Sequence, residues 1–132
     1  MTDWVEFVNR QCPLAVDRVS WDGTVLVIAG ADWSFSSLSA WRLSRDCLVS
    51  GIDDLEANHA LAGVVGESVM AIKSPNPVMG DLDLLFRNGA RIEVFVTSTM
   101  DPWVLRLPTG PILVPAPCDP AWTRSTQGWD QR

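Results

Sequence analysis

The chain has 132 residues, 47% of them hydrophobic and 20% charged, which is enough for one domain with its own core and sets it apart from disordered chains. Its 16 acidic and 10 basic side chains give a formal charge of −6, the wrong sign for gripping a phosphate backbone, so nucleic acid is not expected as a partner. The cysteines, Cys12, Cys47 and Cys118, are odd in number and have no C-x-x-C spacing; they read as reduced core residues, not as a disulfide framework or a zinc site.

The chain opens on MTDWVEFVNRQC. It has no basic segment leading into an apolar one, and no later window approaches the ~18 apolar residues of a membrane span, so neither a signal peptide nor a membrane partner is expected and the expected address is the cytoplasm. Thr2 suits an N-cap, Asp3 the first turn, and Trp4, Phe7 and Val8 one face of a short helix that Pro13 stops. From Val16 the apolar period becomes that of strands. AVDRVSW and TVLVIAG flank Asp22-Gly23, a hairpin signal, and DWSFS, AWRLS and CLVSG continue the run. VIAGADWS has small residues beside Gly30 but no helix behind it, so it reads as a turn and not as a phosphate-binding loop.

Residues 52–66, IDDLEANHALAGVVG, predict a short linker helix with Asp53 or Asp54 as N-cap and Gly63 or Gly66 as the stop. A second strand series then begins with ESVMAI. DLDLLFRNGARIEVFV is the clearest hairpin, and its register follows from matching apolar rows. With Arg87-Asn88-Gly89 as a three-residue loop and Gly89 left-handed, Leu82 meets Val94, Leu84 meets Ile92 and Phe86 meets Ala90. The same register puts Asp83 opposite Glu93, an unfavourable like-charge pair or a site. PWVLRLPTGPILVP closes the series and echoes AWRLSRDCLVSG, with similar spacing from Phe35 to Trp41 and from Phe95 to Trp103. The predicted fold is one mainly β domain: two similar antiparallel meanders, 1–51 with the first helix and 67–117, joined by 52–66 and followed by a tail, 118–132, in a sandwich or barrel-like arrangement. Trp41 and Trp103 are then equivalent core anchors. Trp21, Trp33, Trp122 and Trp129 exceed what those anchors explain; for the last two, packing of the tail on a sheet is weighed against an aromatic contact to a partner.

The second half resembles small uncharacterised bacterial proteins, many of them actinobacterial, grouped as domains of unknown function. The resemblance lies in Gly66 and Val69, Phe86 to Gly89, Ile92 to Phe95, Asp101, Trp103 and Gly110, mostly turn and core positions, and Pro102 departs from it. Several such small acidic proteins act beside toxins as immunity proteins. The resemblance implies no catalytic residue.

Chemistry-bearing residues are sparse. Glu56 and His59 form one Glu-x-x-His, a spacing that binds metal only with partner helices and further ligands, so a partly exposed helix histidine is the reading taken and no metal or cofactor is expected. Asp81, Asp83, Glu93 and Asp101 contain a conceivable acid/base pair, against the ordinary reading of surface carboxylates. Two function classes follow. The first is a non-enzymatic protein-binding module, of immunity or regulatory type, whose acidic surface caps a basic partner. Its contact would use Asp53, Asp54, Glu56, Asp81, Asp83 and Glu93, with Leu85 and Phe95 as apolar anchors and Glu67 nearby. The ordinary alternative is that this face packs on the other meander. The second class is a carbohydrate-binding or hydrolytic β-barrel using carboxylates and tryptophans in a pocket.

Overall fold

The computed structural model describes residues 4–45, 48–51, 57–75, 81–96, 103–110, 112–114 and 124–125. Helix α1 (Trp4–Asn9) buries Trp4 and Val8, and an exposed Glu6–Arg10 pair one turn apart lies at 2.7 Å. Thr2 and Asp3, the expected cap, lie outside the described residues. Strands β1 (Leu14–Ala15), β2 (Arg18–Trp21), β3 (Leu26–Ala29), β4 (Ser34–Ser37), β5 (Ala40–Arg45) and β6 (Leu48–Gly51) follow. Helix α2 (Ala57–Leu61) runs into a 3-10 turn (Ala62–Val64); the cap expected at Asp53 or Asp54 lies outside the described residues. The second series is β7 (Ser68–Lys73), β8 (Leu82–Phe86), β9 (Arg91–Phe95), β10 (Trp103–Arg106), β11 (Ile112–Val114) and β12 (Arg124–Ser125).

The protein is mainly β, with two antiparallel sheets. The first has the order β1-β7-β8-β9-β5-β6 and the second β12-β11-β10-β4-β3-β2. Both are open, so the barrel alternative gives way to two facing sheets with edge strands. The meanders do not each make a sheet. The first half gives β2-β3-β4 to the second sheet and the β5-β6 hairpin to the first; the second half gives β7-β8-β9 to the first sheet and β10-β11 to the second. The halves meet where β5 pairs β9 and β4 pairs β10.

The registers make Trp41 and Trp103 counterparts: Trp41 stands opposite Val94 and Leu43 opposite Ile92, as Trp103 stands opposite Ser37 and Leu105 opposite Phe35. The equivalence of Phe35 with Phe95 is corrected by this register. Ile92 and Val94 point inward, and strand alternation therefore turns Phe95 outward. The counterpart of Phe35 is Ile92.

The helices obey the same exchange. The Asn9 side chain, at the end of α1, donates to the Ile72 carbonyl at 3.1 Å and accepts from the Ile72 N–H at 2.7 Å, so it bonds to β7 as a neighbouring strand would. On α2, Asn58 does the same to Trp21 of β2, with bonds of 2.7 and 3.0 Å. Each helix thus docks on the first meander strand of the other half, and the segment expected as a linker is the second copy of the N-terminal helix.

One apolar cluster fills the space between the sheets. Trp21 of the second sheet meets Trp41 of the first edge to face at 5.5 Å, and Trp103 packs on Trp4 and Phe35. Trp21 and Trp33, read from the sequence as surplus, are core residues. Trp33 also donates from Nε1 to the Ala15 carbonyl at 2.7 Å, which ties the turn after β3 to β1. Cys12, half-buried against α1, is free and its thiol pKa is raised by burial. Among the described residues no helix is long and apolar enough to cross a membrane. β12 pairs with β11, so the tail returns to the second sheet there; Trp122 and Trp129 lie outside the described residues.

Candidate functional site

The β8–β9 hairpin forms in the register that the apolar rows dictate. Leu82 faces Val94, Asp83 faces Glu93, Leu84 faces Ile92 and Leu85 faces Arg91. Gly89 takes φ 90°, a left-handed conformation that an L side chain resists, and the Phe86 N–H donates to the Ala90 carbonyl at 2.9 Å. Asn88 braces the loop by accepting from the Ala90 N–H at 3.0 Å.

With Leu82, Leu84, Ile92 and Val94 committed to the core, strand alternation puts Asp83, Leu85, Arg91, Glu93 and Phe95 on the outer face of the first sheet. The neighbouring strands extend this face. Lys73, Asp83, Glu93 and Arg42 stand in one cross-strand row, and Ala71, Leu85, Arg91 and Ser44 in the next. The expectation that the hairpin's charged face packs on the other meander is therefore not what occurs; the inner face does that.

The two central acids have different surroundings. Glu93 accepts from Arg42 Nε at 3.0 Å and Nη2 at 2.9 Å, and the same guanidinium lies 5.5 Å over the Phe95 ring. Asp83 is only 7% exposed, contrary to the expectation of a solvated surface acid. No described cation closes an ion pair on it; among the described residues the pairs are Arg10–Glu6 and Arg42–Glu93. Burial, then the charge of Glu93, push its pKa up, with Arg91 and Lys73 pulling the other way.

Of the other expected site residues, Asp81 is half-buried and structural: its Oδ1 accepts from the Val96 N–H at 2.8 Å and its carbonyl from the Ser74 hydroxyl at 2.7 Å. Leu85 is half-buried on the outer face and Phe95 is 37% exposed. Asp53, Asp54 and Glu56 lie outside the described residues; so does Asp101. His59 is exposed on α2, and no group of metal-ligating side chains occurs among the described residues.

Sequence reasoning missed Arg42. Alternation in AWRLSR turns it outward, but its place against Glu93 depends on the pairing of β5 with β9, two segments some fifty residues apart (51 between the partners). Ser44 and Arg45 were missed for the same reason. They line a notch of about 270 Å³ with Leu85, Gly89 and Arg91. The outer face of the second sheet is different: Ser20, Val27, Ser36 and Val104 form one row, and Arg18, Ala29, Ser34, Arg106 and Ile112 the next, without a carboxylate.

Charge is also distributed unexpectedly. Glu6, Asp17, Asp22, Asp32, Glu67, Asp81, Asp83 and Glu93 are matched one for one by Arg10, Arg18, Arg42, Arg45, Lys73, Arg87, Arg91 and Arg106. The surplus behind the formal −6 therefore belongs to positions outside the described side chains. No family model matches the chain, and neither a curated protein nor a solved structure is similar to it.

Proposed function

We propose that the protein is a non-enzymatic protein-binding module, of immunity or regulatory type, that meets a basic partner with the outer face of its first sheet. The observation that supports this most is Asp83. A carboxylate that is nearly buried, faces Glu93 and has no described ion-pair partner is costly in the free chain. A partner's Lys or Arg set between Asp83 and Glu93 removes that cost. Phe95 and Leu85, beside the pair, supply the apolar contact that exposed charges need before they yield affinity.

The carbohydrate-binding alternative needs accessible tryptophans. The five with described side chains, Trp4, Trp21, Trp33, Trp41 and Trp103, are all spent on the core, and the notch on the first sheet has no Trp in its lining.

A hexa-arginine peptide serves as a probe of the acid pair. At low salt it is expected to bind the native chain and to bind Asp83→Asn/Glu93→Gln about tenfold more weakly, with the loss shrinking as salt rises. Equal affinity for a double variant with an unchanged circular dichroism spectrum contradicts this assignment.

A further inference from the structure

We infer that Lys73 is an internal competitor for the Asp83 site, a cation that reaches the carboxylate in the free chain and gives way when a partner's arginine arrives. The inference rests on the reading of this face as a binding surface and adds a device that sets how tightly the face binds. Lys73 stands directly opposite Asp83 across β7 and β8, as Glu93 does across β8 and β9. Asp83 therefore lies between one cation and one anion, and the anion is already held by Arg42. The Lys73 side chain is exposed and closes no ion pair with a described residue, so the structure shows the open arrangement.

Opposite residues on neighbouring strands have Cβ atoms about 4.5–5.5 Å apart. Lysine's four-carbon stem spans that gap, so a change of its χ angles carries the ammonium to the carboxylate without moving either strand. The other charged groups around Asp83 are Glu93 and Arg91 on β9 and Asp81 two residues before it. Glu93 and Asp81 oppose its ionisation, as burial does, and Arg91 favours it from the next row, across from Leu85. Lys73 alone among these cations faces it in register.

The residue type decides how firmly the site is closed. Lys73 is the sole lysine among the 10 basic side chains of the chain. An arginine's planar fork clamps a carboxylate with two donors, whereas an ammonium is a strongly hydrated point charge on a flexible stem. At position 73 a lysine therefore covers Asp83 loosely, and a guanidinium brought by a partner displaces it.

The test uses the intact chain, hexa-arginine as the probe, and Lys73→Met and Lys73→Arg, with Arg87→Gln as a variant that removes an exposed charge from the same hairpin outside the Asp83 row. Lys73→Met is expected to bind the peptide about threefold to fivefold more tightly than the native chain, and Arg87→Gln to gain less. Lys73→Arg, which keeps the charge, is expected to bind more weakly by a similar factor. In an Asp83→Asn background the effect of Lys73→Arg should vanish and that of Lys73→Met should shrink to the Arg87→Gln level. The ¹³C titration of the Asp83 carboxyl in the free chain should move up in Lys73→Met and down in Lys73→Arg. Lys73→Arg binding as tightly as the native chain overturns the inference. So does a Lys73→Met gain that survives in Asp83→Asn, or an Asp83 titration that neither variant moves. Failure of hexa-arginine to bind any form defeats the binding reading, while the free-chain titration still decides the Lys73 contact.

Discussion

At Asp83 and Asp22 the fold treats two aspartates in opposite ways. Burial and Glu93 raise the pKa of Asp83, so between its unfolded and folded values the folded chain holds the extra proton and stability falls as pH rises through that window. Asp83→Asn is therefore expected to raise the melting temperature at neutral pH, with the gain disappearing in acid. Asp22 is the reverse case. Its carboxylate accepts from the Val25 and Thr24 N–H groups, each at 2.8 Å, and these bonds lower its pKa. Its contribution is present above the ordinary carboxylate range and lost as pH falls through the lowered value, so Asp22→Asn should destabilise the hairpin at neutral pH and be neutral in strong acid. Thermal melts of both variants across pH check the pair of signs. At Gly30 the constraint is steric. A Cβ there would run into the Ala15 carbonyl and the Trp33 indole, the two partners of the bond that ties the turn to β1. Gly30→Ala should cost about 1–3 kcal/mol and lower the melting temperature by up to about 10 °C, as a calorimetric scan would show.

Among the elements, the β8–β9 hairpin was the most legible. Asn88-Gly89 and the two apolar rows together admit one register, and local chemistry settles it. The helix α1 was legible from Trp4, Phe7 and Val8, although Phe7 proves to be half-buried. The roles of Asn9 and Asn58 were not, because an asparagine on a short helix reads as a solvated polar residue. Each in fact satisfies one N–H and one C=O of a strand in the other half. Asn9→Ala or Asn58→Ala leaves both groups without that partner and should cost about 1–3 kcal/mol, with faster hydrogen exchange at Ile72 or Trp21 respectively. Loss of protection elsewhere but not at those amides would contradict the docking role. Trp41 carries a different polar problem: its Nε1 is buried without a hydrogen-bond partner among the described residues, so its place rests on ring packing.

For the whole molecule, the repeat in the sequence was visible and its meaning was not. Trp-x-Leu at 41–43 and 103–105 correctly marked counterpart strands, but nothing local says that β5 leaves its own meander to pair with β9, or β4 to pair with β10. Those pairings depend on burying both inner faces in one core. The same long-range step brings Arg42 to Glu93 and Ser44 to Arg91, so the composition of the candidate face could not be read from the hairpin alone. The hairpin taken alone is acidic; the assembled face is mixed, with Lys73 and Arg42 in the same cross-strand row as Asp83 and Glu93.

The central claim is that Asp83 awaits a partner's cation, and the carboxyl ¹³C titration of Asp83, without and with saturating hexa-arginine, tests it most directly. The account predicts a pKa above the ordinary aspartate range in the free chain, falling towards that range in the complex as a guanidinium pairs with the carboxylate, and hence an affinity that rises with pH across the window. A titration that is already ordinary in the free chain, or one that the bound peptide leaves unmoved, contradicts it.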